Sequence, residues 1–497
     1  MSQDYPALLV IVPLLSAFII SAAGWVNKRL CFPLSVAALS VSAYSCIGLL
    51  LRVLNEGVVH YRLGGWPPPW GIAYYVDYLN GLVLCVVSVA ALINLIATKK
   101  SIEQEFPEKT GPFYALYVLF VTGMLGITVT GDAFNLYVLL EIGSITGYAL
   151  LAMGDEDRAP LASLNYLYMG TIGACFYLLG VGYLYIVTGS LNMVDIAHIL
   201  PGLYQSKAVT AAFIICMVGV WIKMAFFPLH AWLPNAYTFA PSAASSLIAP
   251  LMTKVMIYVM IRLILTVFTP AFAFTTLAVS HYIVWLACIA IVMGAILALA
   301  QHDLKKMLTY IIVAEVGYMV GGAWLGNRAG MTGAVLHIVN DALMTLCAFL
   351  VVCNIVYKVR GYAFADLKGL FAKMPFTMGA FVIGALSIIG VPPTCGFFSK
   401  WYLILGAIQA HHYDFMVALL FSSLINVVLF FRVFEIGFYE PFSDHEGHEH
   451  HSAVMAEAPL SMLIPLYIVT AGLILVGLYT GDIVNHIIRF VIPEGFI

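Results

Sequence analysis

The sequence predicts an all-α polytopic membrane protein of about fourteen transmembrane helices, with two inverted five-helix repeats and broken helices at the seventh and twelfth spans. Three observations predict it. The 497 residues are 62% hydrophobic and 9% charged, with mean hydropathy +0.98, whereas soluble domains carry about 25% charged residues. Apolar runs of about 20 residues, long enough to cross a bilayer, recur along the whole chain. Within those runs, isolated acids and lysines recur in the same order twice.

The expected spans run over residues 6–25, 31–54, 77–98, 112–130, 132–153, 161–188, 208–237, 243–269, 280–300, 306–326, 330–357, 375–411, 414–439 and 459–488. The first is read as a retained span, because no basic stretch or clear cleavage site marks a signal peptide. The seventh and twelfth are too long for one crossing and contain breakers: Phe227-Pro228 with Pro234, and Gly390-Val391-Pro392-Pro393. Proline cannot donate the helical hydrogen bond and clashes with the preceding turn. Broken helices persist in membranes where protein or a wet cavity satisfies the freed backbone, and they recur at transport sites.

Basic residues set the expected orientation. The loops after odd-numbered spans carry Lys28, Arg29, Lys99, Lys100, Lys109, Arg158, Lys305, Lys306, Lys358, Arg360, Lys368 and Lys373; the remaining loops and span ends carry Arg52, Arg62, Lys207, Arg328 and Arg489. Twelve against five puts both termini outside. The loop 440–458, assigned inside, has no lysine or arginine.

Glu141 precedes Lys223 by 82 residues, and Lys254 follows by 31; Glu315 precedes Lys400 by 85, and Arg432 follows by 32. The order is acid, lysine on a broken helix, base on the next helix. Equivalent helices are five spans apart, so the copies face opposite ways, as in many transporters. The breaks differ: Pro228 follows Lys223, whereas Pro392 and Pro393 precede Lys400. The chain therefore divides into N-terminal helices 1–3 (1–110), a first repeat of helices 4–8 (111–270), a second of helices 9–13 (280–440) and a C-terminal helix 14 (459–497).

A lysine at the bilayer centre costs about 2.5–3.5 kcal/mol on insertion scales. Lys223, Lys254 and Lys400 persist in such settings with Glu141 and Glu315, which points to a path of titratable groups. Glu141 is the expected partner of Lys223, and Lys254 a second step toward the bilayer middle. His230, on the broken stretch, suits a relay near neutral pH or satisfies the broken backbone. His337 and Asp341 are four apart on one helix face, with Asn340 beside them. Lys400 would end the path. Arg432 stays charged at any working pH and tunes or locks an acid. Asp132, after Thr130-Gly131, reads as a helix cap, and Asp303, Lys305 and Lys306 as an interfacial anchor.

Other features read as bland. Nine cysteines are scattered singly, without ligand spacing, and read as small buried residues. The tract Asp444-His445-Glu446-Gly447-His448-Glu449-His450-His451 reads as a solvated loop, not a metal site. No dinucleotide fingerprint, P-loop or haem-attachment motif occurs, and no basic patch points to nucleic acid. No cofactor and no metal is expected, so the energy must come from another subunit or an ion gradient.

At these residues the chain resembles the proton-translocating antiporter-like subunits shared by respiratory complex I, group 4 hydrogenases and Mrp cation/proton antiporters, over residues 60–435. Their pattern places a glutamate on helix 5, lysines on helices 7 and 8, and a lysine or glutamate on helix 12. Glu141, Lys223, Lys254 and Lys400 match it in order. Lys223–Pro234 (KMAFFPLHAWLP) and Gly390–Lys400 (GVPPTCGFFSK) resemble the two broken-helix signatures, and Asp303-Leu304-Lys305-Lys306 a further motif. Three segments are similar to the D-type branch of the Mrp antiporters: Gly64-Gly65-Trp66-Pro67 with Pro69 and Gly71, Thr130–Tyr137, and Ser190–Ile196. The resemblance implies two half-channels joined at mid-membrane, partner membrane subunits, a plasma-membrane location, and protons with Na⁺ or K⁺ as cargo. Alternatives are an M- or N-like pumping subunit of an NADH:quinone or hydrogenase complex, and a structural subunit that does not pump. Many such proteins carry a lysine on helix 11. Here Asp341–Cys347 (DALMTLC) has Met344 near that place, so passage would depend on His337, Asp341 and water.

Overall fold

A computed structural model describes residues 4–154, 156–439, 455–493 and 496. Apolar composition and the need to satisfy every backbone group inside a bilayer make the chain almost wholly helical. The first helices are α1 (Tyr5–Val26) and α2 (Cys31–Glu56). A two-stranded antiparallel hairpin follows, β1 (Val59–Arg62) and β2 (Ala73–Val76), which the sequence did not lead us to expect. Next come α3 (Tyr78–Glu105), α4 (Thr110–Val129), α5 (Ala133–Ala152) and α6 (Ala159–Thr188), then a short surface helix α7 (Met193–Ile199).

The seventh expected span is two pieces, α8 (Lys207–Lys223) and α9 (Trp232–Phe239), followed by α10 (Ser242–Arg262), α11 (Ser280–Leu299), α12 (Leu304–Trp324) and α13 (Arg328–Val359). After a single turn, α14 (Leu370–Lys373), the twelfth span is again two pieces, α15 (Pro375–Ile389) and α16 (Cys395–Gln409). The chain closes with α17 (Tyr413–Tyr439), α18 (Leu460–Leu478) and the short α19 (Thr480–His486). Among the described residues twelve helices are long and apolar enough to cross a membrane unbroken. The other two of the fourteen expected segments are the broken ones, whose halves are individually too short. The histidine tract 444–451 lies outside the described residues.

Packing neighbours repeat along the chain. The pairs α4–α5, α5–α6 and α6–α8 recur as α11–α12, α12–α13 and α13–α16. Small residues permit the close approaches: a Cβ on Gly123 of α4 would meet the Cα of Gly143 on α5 at 2.6 Å, the role small residues play between membrane helices. α10 is buried along its whole length and α12 nearly so, while α1 and α6 turn large apolar side chains outward. Lys254 and Glu315 therefore lie on the innermost helices.

The two faces of the bundle differ. One carries the hairpin, Gly131, Asn192 and Asp195 around a shallow cleft. The other, the basic face, gathers Glu105, Glu156, Pro241, Lys305 and Arg360. Asp132 caps α5, its carboxylate accepting from the Asn135 amide at 2.7 Å, and Asp303 caps α12 through the Lys306 amide at 2.6 Å. Burial raises the carboxyls of both above the ordinary carboxylate range, against those amide bonds. Seven of the nine cysteines are buried; Cys85 is half-buried and Cys175 is exposed on α6.

Candidate proton path

Each break leaves helical carbonyls without donors, and in each a side chain from beyond the break supplies one. In the first, Trp232 Nε1 donates to the Ile222 carbonyl at 3.0 Å. In the second, Lys400 Nζ donates to the carbonyls of Ile388 at 2.7 Å and Ile389 at 3.1 Å, and to Ser423 Oγ at 3.0 Å. Gly390 makes the turn at φ +96, a region open mainly to glycine, and its missing Cβ leaves room for the Lys400 stem, which such an atom would meet at 3.1 Å. Lys223 is itself the last residue of α8. Both lysines thus sit by the negative end of a first half-helix, where a cation is favoured. The difference in proline order changes how each lysine gets there, not where it arrives.

Lys223 is buried, and its Nζ donates to Ser144 Oγ at 2.7 Å and to Tyr148 Oη at 3.4 Å. The expected direct pairing with Glu141 is corrected: among the described residues the two make no ion pair. Glu141 lies one turn before Ser144, within electrostatic range of Lys223, half-buried, with Oε1 lacking a hydrogen-bond partner.

Lys254 has a partner that spacing did not reveal. Its Nζ lies 3.0 Å from Asp341 Oδ2, with the two side chains 2% and 0% exposed, so the pair is sealed from solvent. Nζ also donates to Thr345 Oγ1 at 3.2 Å and to the Ala249 carbonyl at 3.3 Å, and Thr345 Oγ1 donates to Asp341 Oδ1 at 2.7 Å. The Asp341–Cys347 stretch, which has no lysine of its own, thus meets the one on α10. Glu315 on α12 adjoins Asp341 and lies within electrostatic range of Lys254 and Lys400; its Oε1 is buried without a hydrogen-bond partner.

His337 and Asp341, though on one helix face, do not bond each other. His337 Nδ1 bonds Ser399 Oγ at 2.8 Å, not Asp341, and its Nε2 has no partner. The ring meets Tyr318 edge-on at 5.5 Å, and Tyr318 donates to Ser422 Oγ at 2.6 Å. Tyr318 also lies beneath Lys400, 5.2 Å from Nζ to the ring centre. His230 is half-buried and stacked on Phe227 at 4.9 Å, with Nδ1 unpartnered. Arg432 stands apart over Phe364 at 4.8 Å, beside an open groove on α17, and locks none of these acids.

Sequence reading missed Ser144, Thr345, Ser399 and Tyr318, each three or four residues from a named site residue or next to one. It also missed Arg262. That residue, eight beyond Lys254 on α10, forms a bidentate pair with Asp77 at 2.6 and 2.9 Å and donates to Tyr258 Oη at 3.2 Å. A second cation in an apolar run was the available signal.

Two lysines and two carboxyls thus occupy one buried region around α10, α12 and α13. Adjoining carboxyls in such a place cannot both ionise without nearby cations, so the charge on one lysine is felt by both acids and, through Glu315, by the other lysine. Proton transfer along such a set is the chemistry it supports.

A family described as NADH:quinone oxidoreductase/Mrp antiporter, transmembrane, matches residues 130–426, more than half of the chain. A protein of Desulforudis audaxviator named NADH-quinone oxidoreductase subunit N is 41% identical over 99% of both chains. One of Alkalihalophilus pseudofirmus, named as the D-type subunit of an Na(+)/H(+) antiporter, is 28% identical over 90% of both. Among solved structures, a chain of the membrane-bound sulfane sulfur reductase, an archaeal respiratory membrane complex, superposes with TM-score 0.89 at 26% identity, over 97% of this chain and 96% of that one. A chain of the Mrp complex from Dietzia sp. DQ12-45-1b gives TM-score 0.88 at 22% identity, over 99% and 96%. The broken helices, the buried lysines and these matches agree: the chain belongs to the NADH:quinone oxidoreductase/Mrp antiporter family of membrane subunits.

Proposed function

We propose that this chain translocates protons as one membrane subunit of a larger complex, through Glu141, Lys223, His230, Lys254, Asp341, Glu315, His337 and Lys400. The observation that carries this reading is the Lys254–Asp341 pair. It joins the first half of the chain to the second inside the protein, with Glu315 adjoining and Lys400 within electrostatic range. Lys254 passes a proton to Asp341 across their 3.0 Å contact, leaving a neutral amine and a neutral acid. Asp341 then gives that proton up toward Glu315 and Lys400, and Lys254 takes up the next one, which restores the ion pair. The basic face is turned to the cytoplasm and both termini outward, as the lysine and arginine bias implies.

The assembly is an Mrp-type Na⁺ (or K⁺)/H⁺ antiporter with this chain as its D-type subunit, supported by the relatives of that name. A second reading, an N-like subunit of an NADH:quinone complex, is favoured by the 41% identity across the whole chain with a protein named for that role. Purification of the tagged chain separates them: small antiporter subunits support the first, quinone-site and iron–sulfur subunits the second. The transport reading is tested in membrane vesicles by Lys223→Met and Glu141→Gln. Both should lower proton flux with the complex assembled. Undiminished flux in an assembled Lys223→Met complex would overturn translocation and leave a structural subunit.

A further inference from the structure

We infer that the seam between α3 and α10 is a proton inlet that opens on the basic face at Lys305 and ends at Lys254. The inference rests on the translocation reading above. Its mouth is a cleft of about 160 Å³ lined by Glu105, Glu156, Lys305, Arg360 and Tyr362. Lys305 forms the floor. It is 1% exposed, donates to the Ala240 carbonyl at the end of α9, and lies over the Tyr362 ring at 5.5 Å. Glu105 of α3, Glu156 of the α5–α6 link, Asp303, and Cys353 of α13 lie within electrostatic range of it. An anchor at the bilayer edge would hold its charge in water; this lysine is buried among acids.

From the cleft a polar stripe runs inward on α3. Glu105, Ser101, Thr98 and Asn94 are three or four residues apart and share one face. Ser101, Thr98 and Asn94 are each at most 1% exposed. Ser101 Oγ donates to Glu105 Oε1 at 2.8 Å, and Thr98 Oγ1 to the Asn94 carbonyl at 2.8 Å. Beyond Asn94 the same face continues as Ala91, Val87 and Leu84, so the stripe stops halfway across. There it crosses helices: Asn94 Nδ2 donates to Ser246 Oγ of α10 at 2.8 Å, and Tyr117 Oη donates to Asn94 Oδ1 at 3.0 Å.

On α10, Ser246, Pro250 and Lys254 follow at intervals of four. Pro250 has no N–H, so the Ser246 carbonyl has no helical donor, and Lys254 reaches back to the Ala249 carbonyl. The buried Thr253 hydroxyl between them has no partner. The twelve helical steps from Ser242 to Lys254 span about 18 Å, roughly half of a 30 Å core. Beyond Lys254 the seam is closed by the Arg262–Asp77 pair, a charge that does not titrate. One end therefore carries a titratable lysine under a cleft and the other a closed ion pair whose arginine neither takes up nor releases a proton. Helix–helix adhesion needs only a contact such as Asn94–Ser246; it accounts for neither the one-sided stripe, the unpartnered Thr253, nor Lys305 at the mouth.

The test measures proton flux in vesicles holding the assembled complex. Lys305→Arg keeps the charge and the carbonyl contact but does not release a proton at working pH, so a purely structural role would survive it. Flux should fall at least about tenfold, within the range ascribed to a positioned proton-transfer group. Thr98→Val keeps the volume, removes a hydroxyl from the stripe, and should lower flux by about threefold or more, roughly 0.65 kcal/mol on the rate scale. If both variants keep unmodified flux while Lys223→Met is inactive, the inlet is overturned and translocation stands. If Lys223→Met is also fully active, translocation itself fails and the inlet with it. Should Lys305→Arg not assemble, Thr98→Val decides alone, unmodified flux overturning the inlet.

Discussion

The Lys254–Asp341 pair allows structure and transport to be separated by experiment. At 3.0 Å the Coulomb attraction is about 5.5 kcal/mol for an effective dielectric near 20, from 332/(20 × 3.0). Much of that is offset by taking both charges out of water, so the pair adds little net stability over an apolar replacement, yet breaking it strands one charge at a cost of about 3–5 kcal/mol. Asp341→Asn should therefore lower the thermal stability of the purified complex markedly, as should Lys254→Met, which leaves the carboxylate. The double variant Lys254→Met with Asp341→Leu removes both charges and should recover most of that stability. It should not recover transport, measured as proton flux in vesicles, because no titratable link then joins the two halves. A double-mutant cycle gives the interaction energy directly. A value below about 1 kcal/mol, typical of exposed pairs, or a double variant that translocates at the unmodified rate, would refute the reasoning.

Three further outcomes follow from the same geometry. Lys400→Met should destabilise the second broken helix as well as stop transport, since the Ile388 and Ile389 carbonyls lose their donor at about 1–3 kcal/mol for each group left unsatisfied; an unchanged melting midpoint would remove the anchoring role. Asp77→Asn should cost about 3–5 kcal/mol by leaving Arg262 unpaired, seen as loss of folded protein in membranes, and the double change Asp77→Leu with Arg262→Met should restore it. Burial raises the folded-state value of the Asp303 carboxyl above its unfolded one, so its contribution is full below the unfolded pKa and is lost as pH rises through the folded one. Asp303→Asn, which keeps the cap without the charge, should then match or exceed the parent in melts at about pH 8, whereas Asp303→Ala should lose about 1 kcal/mol of cap.

Much of the fold was legible because its causes are local. An apolar run of bilayer length must become a helix, and the runs around Pro228 with Pro234 and around Gly390 with Pro392-Pro393 are too long for one crossing and gather breakers, whereas lone Pro250 lies inside an unbroken α10. The cap at Asp132 was legible for the same reason: a carboxylate just before an apolar run meets amides of its own helix. The hairpin between α2 and α3 was not read, since β1 and β2 are only four residues each and lie among glycines and prolines that read as loop.

The identities of the buried acids and lysines were likewise set by sequence, because a charge inside an apolar run stands out in any fold. Helical periodicity says which residues share a face, but not which neighbouring helix that face meets, nor at what height. Those are decided by packing of whole helices, through small residues such as Gly123 and Gly143. Only the tertiary structure therefore decided that Lys223 bonds Ser144 and not Glu141, that His337 bonds Ser399 and not Asp341, and that Lys254 of α10 pairs with Asp341 of α13.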